Sequence, residues 1–256
     1  MVRSVGLFLC VAVWLGWNVG VDAKTPIPKG KWAQLLTTLD KAESQGSDQQ
    51  GKMKLVLINK AGKERYRTAI FFQKGTNRRM VQFKSPADVA GLSVLIRGAS
   101  VTLYLPQFRR TRRIAAHVRN QPFMGTDLNF DDLGSLQYSK GYKVTGAVKL
   151  KKGGIEMTLK PKPGVSKPYK KLTIVMRKDN LLKEVHYFNK KGKKIKIMTR
   201  SGFKKIKKYM FPHNLKVCDL VKQHCTKVIM TKVKMDTGIR SRFFTRRYLK
   251  RELDLD

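Results

Sequence analysis

The sequence predicts a mainly β protein of the α+β kind, in which one strongly curved antiparallel sheet wraps round a helix. Helical periodicity of apolar residues is confined to one segment near the amino terminus. Later segments alternate apolar and polar residues with period two, and they number roughly ten to thirteen. Their short connections, such as Gly153-Gly154 and Lys191-Gly192, favour antiparallel neighbours. No β-α-β alternation is present, so one curved sheet around the helix is the economical way to form a single core.

The first 23 residues are predicted to be a secretory signal peptide, and residues 24–256 to be a single domain. Arg3 gives a positive start, Val5–Val19 is mostly apolar, and Val21-Asp22-Ala23 is a small-x-small cleavage pattern. The apolar run is short for a spanning helix, although a retained amino-terminal anchor is the alternative. We therefore expect export to the periplasm with cleavage after Ala23.

A helix is predicted at Lys29–Ser44, because Trp32, Leu35, Leu36 and Leu39 recur at i, i+3, i+4 and i+7. The period-two segments that follow are predicted strands. They are Lys52–Ile58, Tyr66–Gln73, Arg79–Lys84, Leu92–Arg97, Val101–Leu105, Tyr142–Leu150, Ile155–Lys160, Lys171–Arg177, Lys183–Phe188, Lys194–Thr199, Lys204–Phe211, Leu215–Leu220 and Thr226–Met235. The tail, Arg242–Leu253, is predicted to dock onto the sheet as a final short element.

The net charge is +38, and it is unchanged by loss of the predicted signal, which carries one charge of each sign. Such a charge favours an anionic partner: lipid head groups, lipopolysaccharide or nucleic acid. Export favours envelope components and anionic membrane surfaces, and no nucleic-acid-binding motif accompanies the basic runs. The alternative is that the charge only solvates the surface.

Two cysteines, Cys218 and Cys225, follow the predicted signal and flank a predicted hairpin. In an oxidising compartment, an even pair at this short spacing favours a disulfide across the hairpin. His224 adjoins Cys225 without the spacing of a zinc motif, so a metal site is disfavoured.

Four short motifs lie in order between residues 86 and 127. They are a Pro-x-x-x-x-Gly lead-in from Pro86 to Gly91, the run Leu103–Pro106, the triplet Arg112–Ile114, and the turn Phe123–Asp127. Together they resemble the LolA-like family of periplasmic lipid and lipoprotein carriers, and most closely its outer-membrane lipoprotein-sorting branch. The resemblance implies an incomplete barrel with helices in its concave face, where acyl chains are held. It also implies an inner-membrane exporter of lipids or lipoproteins and an outer-membrane acceptor as partners.

Two sets of candidate site residues follow from the motif region. The ligand-binding candidates are Leu103, Tyr104, Leu105, Arg109, Arg110, Phe123 and Met124, for which packing in the core is the alternative role. Guanidinium groups at a cavity rim would hold a phosphate or carboxylate of the ligand. The structural candidates are Pro106, Arg112, Arg113, Gly125, Asp127, Asp131 and Asp132. Among these, the arginines are expected to pair with the aspartates and lock the loop.

No catalytic site is predicted. The four histidines, His117, His186, His213 and His224, lie in separate contexts, and no phosphate-cradling glycine loop is present. Two carboxylates of the motif region could serve a hydrolase, but satisfying turn amides and pairing with arginine are the simpler roles. We expect a soluble, non-enzymatic periplasmic carrier of acyl chains without cofactor or metal. The alternative is a cationic envelope module that binds an anionic polymer or a protein partner and has no lipid cavity.

Overall fold

The structure is a computed structural model that describes residues 24–115, 118, 121–130, 132, 137–165 and 167–255. The predicted signal peptide, His117 and Asp131 lie outside the described residues. Within the described ranges the chain forms one 14-stranded sheet in which every pair of neighbours is antiparallel. The predicted mainly β class and curved, unclosed sheet are confirmed.

Each strand is defined by its bounds in the described chain. They are β1 Thr25–Pro26, β2 Asp48–Ile58, β3 Glu64–Lys74, β4 Arg78–Ser85, β5 Ser93–Arg97, β6 Ser100–Leu105, β7 Arg110–Arg113, β8 Tyr142–Lys149, β9 Ile155–Pro161, β10 Lys171–Met176, β11 Leu182–Phe188, β12 Lys194–Ile206, β13 Tyr209–Asp219 and β14 His224–Met235. Among the described residues, helices include α1 Trp32–Glu43, α2 Tyr138–Gly141 and α3 Arg246–Leu249, and 3-10 turns include Lys29–Lys31, Pro106–Phe108 and Ser241–Phe243.

The strand order across the sheet is β1-β8-β9-β10-β11-β12-β13-β14-β2-β3-β4-β5-β6-β7. After the short edge strand β1, the chain passes through α1 to the middle of the sheet at β2 and then builds one arm from β3 to β7. The other arm, β8 to β13, returns through β14, which pairs with β2. The outermost strands, β1 and β7, do not pair with each other, so the barrel is incomplete.

The helix α1 lies in the concave face, as predicted, with its first turn in the 3-10 form. Leu36 and Leu39 are buried in the main core. The Trp32 indole donates a hydrogen bond of 2.8 Å to the Ile27 carbonyl. The buried Asp40 carboxylate accepts two backbone hydrogen bonds from the start of α2, at 2.8 and 2.9 Å. No helix of the described residues is both long and apolar enough to cross a bilayer.

One predicted strand, Lys204–Phe211, is wrong. The chain turns at Lys207-Lys208, so that Ile206 pairs with Tyr209 and two long strands, β12 and β13, meet there. Lys207 takes a left-handed conformation with φ 54°. Turns with this conformation usually contain Gly, Asn or Asp. A lysine at this position does not indicate a turn, so the sequence was read as one continuous strand.

The basic run that was expected to be a loop after β6 contains the edge strand β7, Arg110–Arg113. Leu103 pairs with Arg112, and Leu105 pairs with Arg110. Charged side chains on an exposed edge prevent further strands from adding to the sheet. The clustering of arginines here is explained by that position without any ligand.

The carboxyl-terminal segment after β14, residues 236–255, crosses the convex face of the sheet and is called the strap here. Its Phe244, Leu249 and Leu253 form a second buried cluster with side chains of β3, β4 and β5. Both ends of the buried Gln82 amide bind the strap: Nε2 donates to the Arg251 carbonyl at 2.7 Å, and Oε1 accepts from the Leu253 amide at 2.9 Å. The predicted docking of the tail is confirmed.

The beginning of the strap is held by one carboxylate. Asp48, 2% exposed, accepts hydrogen bonds of 2.7–3.1 Å from the Thr237 amide and hydroxyl and from the amides of Gly238 and Ile239. Burial alone would raise the pKa of Asp48, but these donors, Thr237 foremost, lower it below its ordinary value.

We expect Asp48→Asn to destabilise the protein at neutral pH and less so at acidic pH. The carboxyl pKa is depressed in the folded state, so its stabilising contribution is present above the unfolded pKa and is lost as pH falls through the folded pKa. Thermal melts of both proteins between neutral and strongly acidic pH measure this difference. Asp88→Asn, at an exposed carboxylate, is the control. A melting-temperature gap that stays constant over the whole range would contradict the expectation.

Candidate ligand cavity

A cavity of about 210 Å³ lies between the concave face of the sheet and the end of α1. Its wall is mostly apolar. Side chains of both arms contribute to that wall, among them Phe71, Phe83, Phe123, Leu172, Val228 and Met230. Apart from Phe123, which lies outside the strands, these residues alternate with outward-facing ones along their strands, so most of the wall follows from the period-two pattern.

One side of the cavity carries an ion pair between α1 and β12. Arg200 Nη1 donates to Glu43 Oε2, and the other oxygen of Glu43 accepts a 3.0 Å hydrogen bond from the Leu182 amide. The Glu43 side chain is 4% exposed and that of Arg200 is 18% exposed. Burial opposes the charge of Arg200, but Glu43 outweighs this effect and raises the pKa of Arg200.

A second arginine, Arg79 of β4, faces the same cavity. Its Nε and Nη2 both donate to the Gln73 amide oxygen, at 3.1 and 2.6 Å. Burial, together with the nearby positive charge of Arg200, lowers the pKa of Arg79 to about 10. The side chain therefore stays cationic at neutral pH, and the cavity contains two guanidinium groups from opposite arms.

A second ion pair, between Lys196 of β12 and Asp132, lies deeper, and each side chain is 7% exposed. The Lys196 ammonium lies 4.9 Å from the ring centre of Tyr169 and 4.4 Å from that of Tyr187. Asp132 also accepts a 3.0 Å hydrogen bond from the Asn129 amide. Burial, with the charge of Asp132, raises the pKa of Tyr187 well above its ordinary value.

The predicted turn Phe123–Asp127 forms a plug over the concave face. Met124 and Gly125 have φ of 50° and 71°, and the buried Thr126 hydroxyl closes the turn with a 2.6 Å hydrogen bond to the Phe123 carbonyl. Arg67 Nη1 donates to the Met124 carbonyl. The plug thereby inserts the Phe123 ring into the core, 5.7 Å from the ring of Phe83.

The plug is bound to β14 through Asp127. Its Oδ2 lies 2.8 Å from His224 Nδ1 and accepts a 2.8 Å hydrogen bond from the Thr226 hydroxyl. The expected pairing of Arg112 or Arg113 with Asp127 or Asp132 is therefore wrong, because these carboxylates bind His224, Thr226 and Lys196 instead. The physical reason is that Arg112 and Arg113 are exposed on the edge strand β7. The expected pairing with Asp131 lies outside the described residues.

The apolar and aromatic residues among the predicted ligand-binding residues fall into three places. Phe123 lines the cavity. Leu103 and Leu105 belong to the main core near the edge of the sheet, where Met124 also packs, and none of the three is among the wall residues. Tyr104 lies on the opposite face, against the strap, so its predicted role as a cavity residue is wrong.

Arg109 and Arg110 are exposed at the turn between β6 and β7 and are absent from the cavity wall, so the predicted arginine rim of the cavity is wrong. The structural candidate Pro106 packs instead against Gly91, where an added Cβ would lie 3.4 Å from Pro106 Cβ. Gly91 has φ 77°, which also favours glycine. The Pro86–Gly91 and Leu103–Pro106 motifs therefore meet in space.

Sequence reasoning missed four charged residues of the cavity wall, Glu43, Arg79, Lys167 and Arg200. It also missed the buried Lys196, which pairs with the wall residue Asp132. The position of these cations in the strand alternation could have identified three of them. Arg79 shares the alternation of Val81 and Phe83, and Lys196 and Arg200 share that of Met198, so each cation occupies an inward-facing position. Charged residues in such positions are rarely buried without a partner.

Comparisons with known proteins agree with this architecture. A family model described as "uncharacterized protein" matches residues 75–251. No curated protein sequence matches the chain. An outer membrane lipoprotein-sorting protein domain from Vibrio parahaemolyticus is similar at 24% identity and a TM-score of 0.78, with 87% of this chain and 99% of that chain covered.

Two further solved structures share the fold. A DUF1329 family protein from Desulfovibrio piger has 22% identity and a TM-score of 0.77, with 85% of this chain and 97% of that chain covered. A LolA superfamily protein from Nitrosomonas europaea has 16% identity and a TM-score of 0.69, with 85% and 99% covered. The chain thus belongs to the uncharacterized family whose model covers residues 75–251, and its fold is that of the LolA-like superfamily.

Proposed function

We propose that this protein is a periplasmic carrier that holds acyl chains of lipid or lipoprotein in its concave cavity and moves them across the cell envelope. The observation that carries the proposal is the apolar cavity of about 210 Å³ between sheet and helix, with Arg79 and Arg200 facing it. Burial of acyl methylenes supplies about 0.8 kcal/mol each, whereas the guanidinium groups orient an anionic head group.

The size of the cavity defines what enters it. An apolar cavity of about 150 Å³ accepts benzene, and drug-sized ligands occupy about 300–1,000 Å³. A cavity of about 210 Å³ therefore accepts part of one acyl chain. Complete chains require the sheet and α1 to separate, which an unclosed sheet permits.

Transfer of this kind is non-enzymatic, and it uses neither cofactor nor metal. An inner-membrane exporter of lipids or lipoproteins would load the carrier, and an outer-membrane acceptor would receive the cargo. The similarity to the lipoprotein-sorting protein domain from Vibrio supports this proposal, as does the similarity to the LolA superfamily protein from Nitrosomonas.

Filling the cavity is expected to weaken acyl binding. Val228 lines it, and the adjacent Ile229 faces outward, so Val228→Trp and Ile229→Trp form a matched pair on one strand. Displacing two methylenes costs about 1.6 kcal/mol, which corresponds to about a tenfold lower affinity for a fluorescent fatty acid. The Ile229→Trp protein is expected to bind like the parent, and thermal melts report whether each variant is folded.

Mass spectrometry of the purified parent protein supplies the second arm of the test. Co-purified lipid is the expected result, and Ala42→Phe, also at the cavity wall, is a second filling variant if Val228→Trp does not fold. Undiminished binding by folded filling variants would place the acyl chain elsewhere. A parent that neither co-purifies with nor binds acyl chains, yet binds a soluble polyanion, would favour the cationic envelope module instead.

A further inference from the structure

Large apolar side chains are exposed at the tips of three connecting loops. Phe108, between β6 and β7, is 66% exposed, and Val165, between β9 and β10, is 36% exposed. Leu220 and Val221, between β13 and β14, are 41% and 65% exposed. Single exposed apolar residues are ordinary on protein surfaces, so the informative point is where these four lie.

The strand registers place the three loops at one end of the sheet. Asp219, before the β13–β14 loop, pairs with Lys196 near the start of β12. Phe188 at the end of β11 pairs with Lys171 at the start of β10. The β9–β10 loop directly precedes Lys171 and therefore lies at the same end. We call this the loop end of the sheet.

The same end continues through the other arm. Cys225, just after the β13–β14 loop, pairs with Ile58 at the end of β2, and Ile58 pairs with Glu64 at the start of β3. The loops β4–β5 and β6–β7 follow on the same side, because the register runs from Gln82 through Ser93 to Tyr104. Phe108 therefore projects from the loop end as well.

Two of the tips are fixed by local hydrogen bonds. The 3-10 turn Pro106–Phe108 is closed by a 3.0 Å hydrogen bond from the Arg109 amide to the Pro106 carbonyl. At the other tip, the Asp219 carboxylate accepts hydrogen bonds of 2.9 Å from the amides of Val221 and Lys222. The disulfide between Cys218 and Cys225, with an S–S distance of 2.10 Å, joins the two strands directly below this tip.

Cations surround these apolar tips. The exposed lysines and arginines in the loops of this end are Lys60, Lys63, Arg109, Lys162, Lys170, Lys190, Lys191, Lys193 and Lys222, and the exposed Arg110 follows at the start of β7. Three of the acidic residues at this end accept hydrogen bonds within the fold: Glu64 from the Tyr66 hydroxyl, Asp219 from its tip, and Asp127 from Thr226. The loop end is therefore strongly positive and also exposes the apolar side chains of its loop tips.

We propose that the loop end docks on the surface of an anionic lipid bilayer. Basic side chains are attracted to anionic head groups, and apolar side chains at fixed tips enter the boundary between head groups and acyl chains. A soluble polyanion would engage the cations but leave Phe108 and Val221 in water. A protein partner is favoured by a contiguous apolar patch, whereas these apolar residues lie on separate loops. This inference stands apart from the cavity and does not depend on what the cavity holds.

The test uses co-sedimentation of the protein without the predicted signal peptide, residues 24–256, with vesicles of phosphatidylcholine, alone or mixed with phosphatidylglycerol. The parent is expected to bind the mixed vesicles only, and less as salt rises, because salt screens the exposed charges. The double variant Phe108→Ser/Val221→Ser is expected to lose about tenfold in partitioning, since two apolar side chains no longer enter the bilayer. Ile229→Ser, exposed on the strand rather than at a tip, is the matched control and is expected to bind like the parent.

Insertion is read separately by fluorescence. Phe108→Trp and Val221→Trp are expected to shift to the blue and to be quenched by brominated lipids in mixed vesicles, whereas Ile229→Trp is expected to do neither. Parent-like binding by the double serine variant would overturn the proposal, because the charge alone would then be sufficient. The proposal is equally overturned by unquenched tip tryptophans or by the absence of vesicle binding. Fatty-acid binding in the same preparations reports on the cavity independently.

Discussion

Replacing Asp132 with alanine is expected to lower the free energy of unfolding by about 3–5 kcal/mol, because Lys196 would be left buried and unpaired. Both side chains are 7% exposed, so water cannot easily take the place of the lost carboxylate. The two tyrosine rings beside Lys196 offer only weak compensation for a missing counter-ion. Urea denaturation of parent and variant measures the difference.

The double variant Asp132→Leu/Lys196→Met separates charge burial from packing. It removes both charges and keeps apolar volume, so most of the loss should be recovered. Glu156→Ala is the matched surface control, because Glu156 pairs with the half-exposed Lys24 at 2.8 Å. Such a pair contributes about 0–1 kcal/mol. A single Asp132→Ala variant no less stable than this control would show that Lys196 finds another partner or reaches water.

Replacing Phe244 with alanine is expected to cost about 3–5 kcal/mol through the cavity that it leaves. Phe244 is 1% exposed and belongs to the cluster that joins the strap to β3, β4 and β5. Loss of the ring therefore loosens the whole strap and not only one contact. Chemical denaturation, together with limited proteolysis of the strap, provides the measurement.

Phe108→Ala supplies the control for this second prediction. The same ring is removed there from a side chain that is 66% exposed, so little stability should be lost. Equal losses in the two variants would mean that the strap adds nothing to the stability of the sheet. A loss in the Phe244 variant with an intact, protease-resistant strap would place the cost inside the sheet itself.

Much of the fold could be predicted from the sequence because alternation is a local signal. The buried positions of β10 repeat every second residue, and those of β11 do so from Val185 onward, whereas the helix α1 shows its own period of 3.6. The errors fall where local signals are weak or misleading. The turn at Lys207 contains no glycine, so its sequence does not indicate a turn. The strand β7 consists mostly of arginines, so its sequence does not indicate a strand.

The candidate site was less predictable, because its chemistry is assembled from distant parts of the chain. Glu43 and Arg200 are 157 residues apart in sequence, and Asp127 meets His224 across 97 residues. No residue pattern in the motif region indicates which distant residues form these pairs. The sequence pointed correctly to the Phe123–Asp127 turn as a special feature, but its carboxylate anchors a plug to β14 instead of pairing with arginine.

The strap makes the two arms of the sheet mechanically unequal. Residues 236–255 pack across the convex side of β3, β4 and β5. Hydrogen bonds hold this segment at its beginning, to Asp48, and near its end, to Gln82. A braced arm resists changes of curvature. If the protein holds acyl chains as proposed, the separation of sheet and α1 that admits a complete chain would involve the unbraced β8–β13 arm more than the braced β3–β5 arm. The length of chain accepted would then depend on how far the β8–β13 arm moves.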